Sequence, residues 1–192
     1  MSVATTDPLR RVVLDAAVAI ARDEGPDAIS LRKVARDAGV SHQAPYHHFG
    51  DRAGIFAAIA EEGFYKLSEA LILSRSQGMS AMCEAYVRFA LDHAGHFRVM
   101  MRNDLCDLQN YPSAVLQADR AFNLLLEDVT AELGADASTE EIKAHTAYLW
   151  SVGHGLATLL LDGPLEKKLE GIADVNVLIA HVARLATASM PQ

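Results

Sequence analysis

Apolar residues recur at three- and four-residue spacing along nearly the whole chain, and that spacing predicts helices. The first stripe is Leu9, Val13, Ala16, Ala17 and Ile20; Asp7-Pro8 marks its start and Gly25-Pro26 its end. Residues 30–49, SLRKVARDAGVSHQAPYHHF, carry two more stripes in close succession. Ser30 is placed to cap the first, whose Leu31, Val34, Ala35 and Ala38 form an inward face. Arg32, Lys33 and Arg36 fall on or near its outer side. Gly39 stands where the helix must stop and a left-handed backbone is usually needed. Val40 then turns inward, and Ser41 is expected to cap a second helix reaching Phe49. Pro45 is tolerated near the start of that helix, where N–H groups lack helical partners. A helix, a tight turn and a second helix with exposed hydrogen-bonding side chains is the layout of a helix-turn-helix DNA reader.

Downstream, Asp51 is expected to cap a long helix over 52–76, with Ile55, Phe56, Ile59, Phe64, Leu67, Leu71 and Ile72 as its buried side. Such a helix spans roughly 37 Å, and Gly63 is a possible bend in it. Residues 79–101 read as two helices broken near His93–His96, and 103–112 as a loop. Residues 113–133 read as a helix with Leu116, Leu124, Leu125, Val129 and Leu133 turned inward. Ser138 and Glu141 have capping-box spacing and open a helix that Gly163-Pro164 ends. Asp174 caps the last helix, with Val175, Leu178, Ile179, Val182 and Leu185 on one face. Met1–Thr6 is expected to be a loose arm. No segment reads as a strand, a repeat or low complexity. The predicted fold is all-α, with a small head over 7–51 joined by the long helix to a larger body over 52–189.

Composition sharpens this picture. An apolar fraction of 51% suits a sizeable core, and a net charge of −8 argues against a general nucleic-acid coat. The charge is uneven, however. Up to Ile55, Arg10, Arg11, Arg22, Arg32, Lys33, Arg36 and Arg52 balance an equal number of acids, so the whole excess lies in the remainder. A neutral, His-rich end on an acidic body suits a protein that touches DNA with one end only. Cys83 and Cys106 do not make a disulfide framework and fit a reducing cytoplasm. Ser2–Pro8 contains Asp7 and no apolar run, so no leader is expected, and no stretch is long and apolar enough to span a membrane.

The candidate chemistry concentrates on the second helix of the head. Tyr46 and Phe49 share a side, which leaves His42, Gln43, Ala44 and His47 to face a partner. Glutamine can pair bidentately with adenine, histidine can donate to a guanine edge or a phosphate, and an alanine methyl can meet a thymine methyl. Elsewhere the signals are weaker. Asp92, His93 and His96 could bind a metal, but a polar cluster at a helix end is favoured, and neither a metal nor a cofactor is expected. With no phosphate loop and no nucleophile elbow, no catalytic residues are assigned and the chain is not expected to be an enzyme.

The stretch from Arg10 to Phe56 resembles the DNA-binding domain of the TetR family of bacterial transcriptional regulators. The resemblance is carried by Arg10, Val13, Leu14, Ala16, Ala17, Ile20, Gly25, Ser30, Val34, Ala35, Ala38, Gly39, Val40, Ser41, Tyr46, His48, Phe49, Arg52 and Ile55. Ala21, Pro45 and Arg52 stand where the family usually has a bulky residue, Leu and Lys. Further on, Trp150, His154 and Gly155 are similar to the tryptophan–histidine–glycine signature of one subclass of TetR C-terminal domains. The resemblance implies a three-helix head, a ligand pocket in the body, and a homodimer built from the last two long helices. It implies a regulator, most simply a repressor released from a palindromic double-stranded DNA operator by an effector that biases the long helix. Ser41, His42, Gln43, Ala44 and His47 would read bases or adjacent phosphates, while Ser30, Arg32, Tyr46 and Arg52 would hold the backbone. Phe89, Phe97, Met100, Met101, Phe122, Trp150 and His154 are the pocket candidates, whose type suits a small apolar effector. For Trp150 and His154 the alternative is packing at the dimer interface, marked by Gly153 and Gly155. The alternative for the whole is a DNA-binding adaptor with no small-molecule site, controlled by a protein partner.

Overall fold

The computed structural model describes residues 7–163, 165, 168, 169 and 174–188; among them there are helices and turns and no strand. The expected arm Met1–Thr6, Pro164 and the predicted body end at residue 189 lie outside the described residues. Helix α1 (Pro8–Asp23) is opened by Asp7, whose carboxylate accepts the Leu9 N–H at 2.9 Å. A 3-10 turn (Pro26–Ala28) leads to α2 (Leu31–Asp37), capped by Ser30, whose Oγ accepts the Lys33 N–H at 3.2 Å. Gly39 has φ +66°, the left-handed conformation that its place after α2 calls for.

Helix α3 (Ala44–Phe49) starts later than expected. A helix capped by Ser41 would need residue 45 to donate its N–H to the Ser41 carbonyl, and Pro45 has no N–H. Instead the Ala44 N–H donates to that carbonyl at 3.0 Å, closing a turn, and Pro45 falls within the first turn of a shorter helix. Ser41 is therefore not the cap.

Helix α4 (Arg52–Ser74) begins with Asp51 accepting the Gly54 N–H at 2.8 Å and runs without interruption through Gly63. Beyond a 3-10 turn (Arg75–Gln77) come α5 (Met79–Asp92), α6 (Ala94–Met100), α7 (Pro112–Leu133), α8 (Thr139–Leu161) and α9 (Val175–Thr187). Helix α8 opens with a full capping box: Ser138 Oγ accepts the Glu141 N–H at 3.2 Å, and Glu141 accepts the Ser138 N–H at 2.8 Å. Ser138→Ala should therefore cost about 1 kcal/mol. A thermal melt checks this, and a lowering of Tm by roughly 2–4 °C is expected.

The chain divides into two compact units, residues up to Phe64 with His93–Ala118, and Tyr65–Asp92 with the residues from Asp119 onward. The long helix α4 thus joins an N-terminal helical bundle to a C-terminal helical domain. In the first unit Val13, Leu14, Ile20, Ile29, Val34, Ile55, Phe56, Ile59 and Val99 form the core. Helices approach closely there where side chains are missing. A Cβ on Gly95 would stand 2.3 Å from the Val18 carbonyl oxygen, and one on Gly63 3.1 Å from both His96 Cβ and Met100 Sδ. Gly63 therefore has a packing reason to be small. In the second unit Val129, Leu149 and Ala186 pack with Leu125, Leu133, Ile142 and Val152.

Some residues expected inside are not. Leu116 is 65% exposed, since it lies two residues, about 200° of helix, from the buried Ala114. Ile72 is exposed, one residue past the buried Leu71. The buried face of α9 is Ile179, Ala183 and Ala186, which turns Val175 out and leaves Leu185 73% exposed.

Candidate DNA interface and candidate effector site

Turn 41–44 and helix α3 present the head's polar surface. His42, Gln43, Tyr46 and His47 line one open concavity. Tyr46 is 53% exposed, and its ring stacks on His42 with centroids 6.5 Å apart and planes at 27°. Arg32, exposed on α2, donates from Nε to His42 Nε2 at 3.3 Å. Ser41 is exposed as well, whereas Ala44 is buried.

The other head residues singled out from the sequence have internal partners. Ser30 Oγ is used in the α2 cap. Arg52 donates from Nη2 to the carbonyls of Pro26 and Asp27 at 3.3 and 3.1 Å, and its guanidinium lies 4.9 Å from the Phe56 ring centre. It latches the 3-10 turn to α4. Lys33 pairs with Glu24 at 2.8 Å and Asp37 at 3.4 Å, and Arg36 with Asp37 at 3.0 Å. Two residues that the sequence did not mark as site residues tie α3 to α1: His48 Nδ1 lies 3.7 Å from Asp7, and Arg10 lies 5.0 Å over the Phe49 ring.

In the same unit Arg11 bonds both Asp15 and Glu62, and His96 Nε2 lies 3.1 Å from Glu62 Oε1. The bond to Asp15 and then the Glu62 carboxylate hold Arg11 above its ordinary pKa, against the opposing effect of burial. His96 thus has a carboxylate partner, with His93 edge-on at 5.8 Å. Among the described residues no three or more His, Cys, Asp or Glu side chains are grouped so as to hold a metal. Phe97 and Met100 are buried in this unit, and Met101 is half-buried at the end of α6.

The remaining pocket candidates belong to the second unit. Trp150 Nε1 donates to Tyr86 Oη at 3.3 Å, and Tyr86 Oη lies 3.0 Å from His154 Nδ1. Phe122 meets Trp150 edge-on, with centroids 5.9 Å apart, and Phe89 is buried on α5. Burial pushes the Tyr86 phenol up to about 12, opposed by the bond from Trp150. Burial also holds His154 below its ordinary value. Both favour a neutral chain in which Trp150 N–H donates to Tyr86 and Tyr86 O–H donates to His154 Nδ1. Tyr86 is the residue that sequence reasoning missed. It reaches α8 because Gly153 makes room: a Cβ there would lie 3.3 Å from Tyr86 Cδ1 and 3.9 Å from Cys83 Sγ. Gly155 has no atom within 4 Å of that position. Burial raises the Cys83 thiol to about 11 and raises Cys106 too, so neither is an activated thiolate.

The lowered His154 pKa has a pH consequence. The unfolded chain takes up this proton near pH 6.5 and the native chain only below that, so the unfolded state binds more protons as the pH drops through 6.5. Native stability should therefore fall on acidification below that value and level off once the native ring is charged. Melts from about pH 7.5 to about pH 5 should show this loss, and His154→Gln should flatten part of it.

Comparison with known proteins gives the following. Residues 13–59 match the family model for bacterial regulatory proteins of the tetR family, and residues 79–185 match the model for the tetracyclin repressor-like C-terminal domain. The chain is 29% identical over 97 residues to YobS of Bacillus subtilis (strain 168), described as an uncharacterized HTH-type transcriptional regulator. That match covers 48% of this chain and 51% of the relative, so the chain spans about half the length of the curated relative it matches. Among solved structures it is similar to a Rhodococcus sp. RHA1 protein of unknown function, at 28% identity and TM-score 0.77, with both chains covered completely. A regulatory protein of the tetR family from Rhodococcus RHA1 shares the fold, with a TM-score of 0.72 at 16% identity over 95% of this chain and 97% of that one. Among the described residues no helix is long and apolar enough to cross a membrane.

Proposed function

We propose that the chain, which belongs to the TetR family of bacterial regulatory proteins, is a non-catalytic DNA-binding regulator, a ligand-released repressor that binds a palindromic operator as a homodimer. The observation that carries this reading is the concavity of His42, Gln43, Tyr46 and His47, on the turn before the second helix of the helix-turn-helix and on that helix itself. Those side chains supply donors, acceptors and an aromatic edge at the place where this motif meets the major groove. We assign DNA reading to residues 7–51 and effector binding and dimerisation to residues 52–189, with the cytoplasm as the site of action. The bonded group Tyr86, Trp150 and His154, with Phe122 against it, is our candidate contact surface for a small apolar effector. Its aromatic faces suit apolar carbon, and the phenol and imidazole offer polar handles. In this reading α4 takes two arrangements, and an effector releases the operator only by binding them with different affinity.

The test is footprinting of the purified protein on duplex DNA from upstream of its own gene, at several salt concentrations. The expected result is a protected palindrome whose half-site centres lie about 34–36 Å apart, or a multiple of that. Affinity should fall steeply with salt. Uniform weak binding there, together with no enriched motif in a genome-wide selection of bound fragments, would rule the reading out.

A further inference from the structure

We propose that Arg32 and His42 act as one unit in which Arg32 holds the imidazole as an Nδ1–H donor that selects guanine in the operator. The inference rests on the DNA-reader reading above and adds the chemistry of one base contact. An arginine side chain has donors only, so the His42 Nε2 it reaches at 3.3 Å must offer its lone pair. The ring is then neutral, with its proton on Nδ1. Its acceptor is already engaged, and what it has left to offer DNA is one N–H. The stack on Tyr46 restrains the plane of the same ring from a second side. Donor identity and ring orientation are thus both set before DNA arrives.

A lone donor in the major groove discriminates among bases. Guanine presents two acceptors there and no donor, cytosine presents a donor, and adenine places a donor beside its one acceptor. Thymine has a single acceptor next to a methyl group. Guanine is the edge that best fits this imidazole. Arg32 spends one of its five donors on His42, and its Nη groups can meet a phosphate in the same pose. Lys33 and Arg36, on the same helix, pair with carboxylates instead. The arrangement therefore links a backbone clamp to a base reader: the phosphate positions the guanidinium, and the guanidinium positions the imidazole. Arg32 is a positioning residue and His42 the specificity residue.

Selection of bound duplexes from a randomised library, with full-length wild type, His42→Gln and Arg32→Gln at one salt concentration, tests this. Both residues are exposed, and thermal melts of the variants verify folding. Wild type should enrich a symmetric motif with a guanine in each half-site that depends on His42. His42→Gln should move that position toward adenine and bind the original site roughly tenfold more weakly. Arg32→Gln should weaken binding generally and also reduce the guanine preference at that one position at least threefold, leaving the other positions unchanged. If Arg32→Gln weakens all sequences equally with the guanine preference intact, Arg32 is a phosphate clamp alone and the inference fails. If His42→Gln returns the wild-type motif, His42 reads nothing and the inference fails while the regulator reading stands. If wild type enriches no motif, both readings fall together.

Discussion

Gly54→Ala should destabilise the protein by about 3 kcal/mol, the upper end for overpacking in a well-packed site. Tm should then fall by roughly 6–12 °C. A Cβ at residue 54 would stand 1.9 Å from the carbonyl oxygen of Phe49, the last residue of α3. That carbonyl cannot swing away cheaply, because it accepts the Asp51 N–H at 2.9 Å. The Asp51 side chain in turn holds the Gly54 N–H at 2.8 Å, and Gly50, at φ +76°, makes the sharp reversal between the two helices. The obstruction is backbone against backbone, so no rotamer change relieves it. Relief means moving α3, and the variant should lose operator affinity along with stability. Gly63→Ala is the control: its new Cβ meets side chains at 3.1 Å, one of them the flexible Met100, and the cost should be smaller. A Gly54→Ala melt within about 2 °C of wild type would show that the junction can give, and that the close approach does not hold α3 in place.

Nothing in the sequence marks Gly54 as such a point, and the reason is general. Features decided within a few residues were legible. Ser30 before α2, Gly39 after it, Asp51 before α4 and the Ser138–Glu141 box all depend on local backbone geometry. The one local miss, Ser41 as a cap, came from giving a good capping residue more weight than the missing N–H of Pro45. Features decided by what packs against a helix were legible only in part: Val13, Ile20, Val34, Ile55, Phe56 and Ile59 are buried as their spacing implies, but other faces are not where it put them. Leu116 and Leu185 are as apolar as their buried neighbours, and only the angular position of the packed face separates them. Tyr86 carries no signal of its own, because its bonds to Trp150 and His154 cross from α5 to α8. Within the head, His42, Gln43 and His47 could be grouped in advance because they lie on one short segment, but Tyr46 joins them where Ala44 was expected, since the later start of α3 turns Ala44 inward. Arg52, matched by position to a backbone-holding residue, has its guanidinium on two carbonyls of its own head.

Leu185→Glu should convert the proposed dimer to a monomer and reduce operator affinity at least about 100-fold. Leu185 is 73% exposed on α9, and Val177, eight residues earlier and about 80° round the helix, is exposed too. On α8, Ala144, Tyr148, Ser151, Gly155 and Leu159 follow helical spacing on a side that carries no charge, and Tyr148 and Leu159 are exposed. The two helices pack together through Leu149 and Ala186, which places both stripes on the second unit's own surface. The proposed occupant is a second copy of the chain, because a palindrome needs two heads related by a two-fold axis. In such an interface a glutamate at residue 185 would be buried as a charge without a partner, a desolvation penalty that the monomer escapes. The loss of affinity follows from separating the heads, since each then binds its half-site without the effective concentration supplied by the other. Sedimentation equilibrium and operator titration on the same samples decide it, with far-UV circular dichroism confirming that the helices persist. A variant that remains dimeric and binds the operator as wild type does would place the interface elsewhere. One that remains dimeric but loses the operator would mean that Leu185 acts on DNA binding by a route other than assembly.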